Sequence, residues 1–193
     1  MCPKFLNLAR SARFLLTFFS KERRIHDELG LLKENMVASN NEGCVSYQEQ
    51  SRILLRNYCK KQKHEKRMKK KDLATKYGIH PDTFRSWMRE SHCGGPCVGK
   101  HGRLLLAILY SDVEDVHETI FAPGVPALLK EFRKEKGLTL QAFALYCQVD
   151  INTISHWEHA MGSPSLNKNL PLVQEFLEWA IRKDINRRGL GES

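Results

Sequence analysis

"DINTISHWEHA" (Asp150–Ala160) sets one large apolar side chain, Trp157, among small polar residues. Asp150 is a good helix N-cap, and Ile154 and Trp157, three residues apart, share one face of the helix that starts after it. Burying that face leaves Asn152, Thr153, Ser155 and His156 free to meet a partner. An earlier stretch, "HPDTFRSWMRE" (His80–Glu90), repeats the pattern. There His80 precedes Pro81, a favoured first helical residue, and Phe84 and Trp87 take the buried positions.

The similarity extends to both sides of these stretches. "LLRNYCKKQ" from Leu54 answers "LLKEFRKEK" from Leu128, 74 residues on. "KDLATKYGIHPDTFRSWMRE" from Lys71 answers "QAFALYCQVDINTISHWEHA" from Gln141, 70 residues on. "GPCVGKHGRLLLAIL" from Gly95 answers "SPSLNKNLPLVQEFL" from Ser163, 68 residues on. The falling offset places two small insertions in the first copy, around "KHEKRMK" and "SHCGG", where loops are expected. Two copies at a period near 70 point to duplicated domains, not a solenoid.

Each copy reads as short helices. Leu54, Leu55, Tyr58 and Cys59 have helical spacing, as do Leu128, Leu129 and Phe132. Thr139 is expected to cap a helix burying Phe143, Ala144 and Cys147, with Leu73, Ala74 and Tyr77 in the same part of the first copy and Gly78 supplying the turn. Two helices meeting at Ala74 or Ala144, followed by a tight turn and a polar-faced helix, describe a helix-turn-helix. The major groove of DNA admits one α-helix, and Thr, Ser, Asn, Asp and Arg can bond base edges there.

"LLKEFRKEKGLTLQAFALYCQVDINTISHWEHAMGSPSL" resembles the lambda-repressor-like (Xre-type) helix-turn-helix domain, over about residues 126–182. The matching residues are Gly137, Leu138, Thr139, Ala144, Val149, Thr153, Ile154, Ser155, Trp157, Glu158, Gly162, Pro164 and Ser165. The departures are Leu140 in place of the glutamine after the capping threonine, with Gln141 beside it, and Gln148 in place of the turn glycine. The first copy is similar to the same family at lower resemblance, with Met88 where the glutamate after the tryptophan belongs. The resemblance implies five helices per domain, the third read into the major groove. By position it implies base reading by Asp82, Thr83, Arg85, Ser86 and Arg89 in the first copy. In the second it implies Ile151, Asn152, Thr153, Ser155 and His156. Phosphate contacts are expected from Lys69, Lys70, Lys71 and Lys76, with Thr139, Gln141 and Lys168 as weaker candidates.

Charge agrees with a polyanionic partner. The formal net charge is +9 and the pI near 9.3. From Ser51 to Tyr110 there are 15 Lys+Arg against 4 Asp+Glu, whereas Phe121 to Ala180 has 5 against 6. The basic excess thus belongs to the first copy, and above all to "KKQKHEKRMKKK" (Lys60–Lys71), read as phosphate-anchoring. Six cysteines at 2, 44, 59, 93, 97 and 147 lack the density of a disulfide framework and are expected reduced. The amino-terminal apolar run is too short for a membrane span and is followed by charges, so no membrane partner is expected.

"SHCGGPCVGKH" brings His92, Cys93, Cys97 and His101 within ten residues, ligand types that suit zinc. Their spacing is not that of a closed site, and the loop aligns with the metal-free "GSPSLNKN". An insertion loop is the reading taken, with no metal and no cofactor. Asp112, Glu114, Asp115 and Glu118 form an acidic linker patch. No phosphate-cradling glycine loop or nucleophile elbow is present, so no enzyme is expected. Leu15, Phe18, Ile25, Leu29, Leu32 and Met36 mark an amphipathic amino-terminal helix. It reads either as a helix packed on its own domain or as one that makes a homodimer; a start at Met36 is a third reading.

The sequence therefore predicts an all-α chain. It has an N-terminal helical arm and linker (1–46), a basic helix-turn-helix domain (47–112), a linker (113–125), and a second such domain with C-terminal helix and tail (126–193). These are two tandem five-helix lambda-repressor-like domains. The expected function is sequence-specific double-stranded DNA binding as a transcriptional regulator, in the cytoplasm and on the nucleoid. One alternative is a non-catalytic site-recognition factor in recombination, transposition or plasmid maintenance. Another is an antitoxin-like or anti-regulator protein-interaction module.

Overall fold

Helices of four to 20 residues follow one another between Tyr47 and Arg187 in the computed structural model, which describes residues 46–89, 94–110 and 117–187. The described residues are all-helical, apart from one isolated bridge. They are α1 (Tyr47–Lys66), α2 (Lys70–Lys76), α3 (Pro81–Ser86), α4 (Val98–Leu109), α5 (His117–Ile120), α6 (Val125–Glu135), α7 (Leu140–Cys147), α8 (Ile151–Glu158) and α9 (Leu170–Arg187). The N-terminal arm through Val45, with its dimer reading and Met36, lies outside the described residues. So do His92, Cys93, Asp112, Glu114 and Asp115.

The caps are those the side chains dictate. Asp150 Oδ1 accepts from Asn152 N–H at 2.7 Å and His80 Nδ1 accepts from Asp82 N–H at 3.3 Å. Thr139 Oγ1 accepts from Ala142 N–H at 3.1 Å. The turn between the second and third helix of each run is built alike. Ile79 N–H donates to Ala74 O at 2.8 Å and Val149 N–H donates to Ala144 O at 3.0 Å. Both turns need a left-handed residue: Gly78 at φ 64° and Gln148 at φ 54°. A Cβ at Gly78 would meet nothing within 4 Å, so glycine is needed there for backbone freedom alone.

Burial follows the repeat. Leu55, Leu73, Ala74, Phe84, Trp87 and Leu104 belong to one core cluster; Leu129, Phe143, Ala144, Ile154, Trp157 and Leu172 are the corresponding buried residues of the second run. Tyr77 and Cys147 are only half-buried, because they stand at the end of the second helix where the chain turns away. The basic insertion is only in part the expected loop, which is confined to 67–69. α1 runs on to Lys66 and stops at Arg67, which is left-handed at φ 53°. Lys, Gln and Glu are good helix formers, and four added residues make about one more turn. The expected linker contains α5, whose Ile120 is buried.

The two runs secure the end of their third helix to their first by different chemistry. In the second, Arg133 clasps Glu158 through two bonds, Nε–Oε1 at 2.7 Å and Nη2–Oε2 at 3.0 Å, and also donates to Leu138 O. In the first, the corresponding residues are Cys59 and Met88, both buried in the apolar cluster. There Arg56 instead donates to Met88 O at 2.7 Å, and Arg52 to Arg89 O at 3.3 Å.

α4 and α9 join the two runs. His101 leaves helical geometry (φ −127°, ψ 24°), dividing α4 into one turn and the helix that follows, just as a turn at 166–168 precedes α9. An antiparallel bridge pairs Cys97 with Ser165, with Val98 N–H donating to Pro164 O and Leu166 N–H to Pro96 O, both at 2.9 Å. At the far end of α4, Tyr110 Oη donates to Glu178 Oε1 at 3.0 Å. Burial and that carboxylate hold the Tyr110 hydroxyl well above the usual range.

The nearly buried clasp makes a stability prediction. Glu158→Ala strands a guanidinium and is expected to cost about 3 kcal/mol in urea denaturation. The pair Arg133→Cys with Glu158→Met, copying the first run, is expected to cost less than that single substitution. A double variant worse than Glu158→Ala would contradict the equivalence of the two clasps.

Candidate nucleic-acid interface

α3 and α8 each bury one face and present the other. Phe84 and Ile154 are fully enclosed, and Trp87 and Trp157 retain only 6% and 7% exposure. On α3, Asp82, Thr83 and Arg85 are exposed, Ser86 is half-buried, and Arg89 is exposed just beyond the helix. They are not independent. Arg85 Nη1 donates to Asp82 Oδ1 at 2.8 Å, and Ser86 Oγ donates to Thr83 O at 2.8 Å. Arg85 must leave Asp82, or share its guanidinium, to reach a guanine. On α8, Ile151, Asn152 and His156 are exposed, with Thr153 and Ser155 half-buried.

Lys69, Lys70 and Lys71 stand exposed at the amino end of α2, while Lys76 at its other end is half-buried with Nζ over the Tyr77 ring. Lys69 N–H donates to Asp72 Oδ2 at 3.0 Å, which fixes the start of the helix. In the second run Gln141 is exposed, and Thr139 is exposed although its hydroxyl already caps α7. Lys168 is exposed in the turn after the bridge. Its counterpart, Lys100, is exposed in the equivalent turn, a position the sequence reading passed over and the alignment of "GPCVGK" with "SPSLNK" marks. The second run also exposes apolar side chains, Leu145 at 75% and Met161 at 67%.

Of the four zinc candidates, two are described. His101 Nδ1 lies 3.1 Å from Cys97 N and 3.5 Å from Cys97 Sγ. Nδ1 accepts from the amide when it carries no proton, or donates to the sulfur when it carries one. Among the described residues no group of three His, Cys, Asp or Glu is placed to hold a metal. Cys97 and His101 line an open cleft of about 740 Å³ that also borders Val125, Pro126, Met161 and Ser163. Burial pushes the Cys97 thiol up, but hydrogen bonds with His101, Ser163 and the Lys100 backbone outweigh it and bring it down to about 7. Burial raises Cys59 to about 11.

A helix-turn-helix family model, HTH_3, matches residues 129–168, which hold most of α6, all of α7 and α8, and the turn ending at Lys168. No curated protein and no solved structure matches the chain. Residues 129–168 are thus similar to a helix-turn-helix family, whose domains are of a DNA-binding type. No helix among the described residues is long and apolar enough to cross a membrane.

The thiol geometry is open to direct measurement. Iodoacetamide labelling with peptide mapping is expected to modify Cys97 with half-maximal rate near pH 7, while Cys59 resists until far more alkaline. His101→Ala should move the Cys97 midpoint upward. A midpoint that ignores His101 would remove that ring as its cause.

Proposed function

We propose that the chain is a sequence-specific double-stranded DNA-binding regulator with two tandem lambda-repressor-like domains, 47–112 and 126–193. The observation that carries this is the exposure, in both runs, of a short polar helix held by a tryptophan behind a matching second helix and turn. The first domain supplies most of the affinity through Lys69, Lys70, Lys71 and Lys76 on backbone phosphates. Arg85 and Arg89 read guanine, the commonest specific pairing of side chain and base. In the second domain Asn152 suits adenine, Ile151 suits a thymine methyl, and Thr153, Ser155 and His156 complete the surface. Thr139, Gln141 and Lys168 contribute lesser phosphate contacts.

A second reading applies to the second domain alone. Its near-neutral charge and its exposed Leu145 and Met161 suit a protein partner, with DNA binding left to the first.

Fluorescence-anisotropy binding across a salt series separates the roles. Replacing Lys69, Lys70 and Lys71 with alanine should reduce the salt slope by up to about 0.9 per lost phosphate contact, with little change in the preferred sequence. Arg85→Ala with Arg89→Ala should cost about 1–3 kcal/mol per lost guanine contact and relax sequence preference. Asn152→Ala with His156→Ala should alter preference at other base pairs. Indifference to this last pair, with the first two effects intact, would favour the protein-partner reading. An unchanged slope in the lysine variant would take those lysines out of the interface.

A further inference from the structure

We infer that the chain is an internal pseudo-dimer whose target is an asymmetric inverted repeat, two unlike half-sites in opposite orientation engaged by one chain. The inference rests on the proposal that α3 and α8 both read DNA, and adds how their two sites are arranged.

The contact joining the two runs carries the argument. Aligning Gly95 with Ser163 makes Pro96 the counterpart of Pro164, Cys97 of Ser165, Val98 of Leu166 and Gly99 of Asn167. The bridge then pairs Cys97 with its own counterpart. Its two hydrogen bonds, Val98 to Pro164 and Leu166 to Pro96, are images of each other. The close approaches are reciprocal as well. A Cβ on Gly95 would come within 2.8 Å of Asn167 Oδ1, and one on Gly99 within 2.9 Å of Ser163 Oγ. Farther along the same pair of helices Tyr110 bonds Glu178, again its own counterpart.

When residue i meets j and j's counterpart meets i's, the operation relating the halves is a two-fold rotation. A simple translation along the chain would set position 97 against something other than its counterpart. A two-fold rotation preserves position and direction along its own axis and reverses direction across it, so α3 and α8 stand at one level and their directions across the axis are opposed. Inverted half-sites on duplex DNA are related in the same way, with centres about one helical turn apart. The half-sites differ because the helices differ. Arg85 and Arg89 favour guanine under α3, whereas Asn152 and Ile151 favour adenine and thymine under α8.

The test is selection of bound duplexes from a random pool with the full chain, followed by the mass of the complex. The inference expects two unlike motifs centred about 10 base pairs apart, with one chain on each duplex and with DNA cleavage directed from Asp82 and from Asn152 placing the starts of α3 and α8 in inverted orientation on their motifs. A direct repeat, a single half-site, or two chains on a symmetric site would overturn it while leaving the regulator proposal standing. No enriched sequence at all would overturn that proposal and this inference with it. On the selected site, inserting about five base pairs, half a turn, between the motifs should weaken binding at least tenfold. Tolerance of that insertion would mean that the halves are not held by the bridge. Gly99→Val, which crowds Ser163, should reduce the penalty for the insertion; because the spacer series uses the unaltered chain, it decides the matter even if this variant fails to fold.

Discussion

A helix of six or eight residues has almost no stability of its own in water, because too few bonds repay the cost of nucleating it. α3 and α8 exist because two enclosed side chains, Phe84 with Trp87 and Ile154 with Trp157, fasten one face of each to a helical core. Everything proposed for their outer faces depends on that fastening. It lets small polar and charged residues occupy the remaining positions without endangering the helix, and it fixes the direction in which they project. The caps at His80 and Asp150 finish the task by setting where each helix begins.

The two halves meet the same mechanical needs with unlike residues. One closes its third helix onto its first with an arginine–glutamate clasp; the other has a cysteine and a methionine there, with arginine-to-carbonyl bonds alongside. One turns on a glycine and the other accepts a glutamine in the left-handed region, which is less comfortable for a residue with a side chain. Charge differs as well, the basic excess lying in the first half. Such differences leave a common frame with two distinct outer faces. A bridge between Cys97 and Ser165, aligned positions of the two stretches, joins them.

Much of this was legible in the sequence, for identifiable reasons. The tryptophans, the capping residues and the alanines at the helix–helix approach are local signals, and the structure places each as its chemistry requires. The basic insertion is a loop only at 67–69; charge density suggests solvation along all of it, whereas the helix propensity of its earlier residues carries α1 on to Lys66. The link between Arg85 and Asp82 follows from three-residue spacing and was available to inspection; the bridge was not. Pairing Cys97 with Ser165 requires two distant segments to meet, and nothing in either segment announces its partner. Only the alignment of the halves, read together with the contact, reveals that the partners are counterparts.

The most direct test of the central claim is an amide-shift titration of the full chain with its selected duplex. The account predicts that the largest changes fall on the exposed positions of α3 and α8 and on Lys69 to Lys71, with the enclosed Phe84 and Ile154 sites moving less. Strong responses elsewhere, with both tryptophan-fastened helices silent, would contradict it.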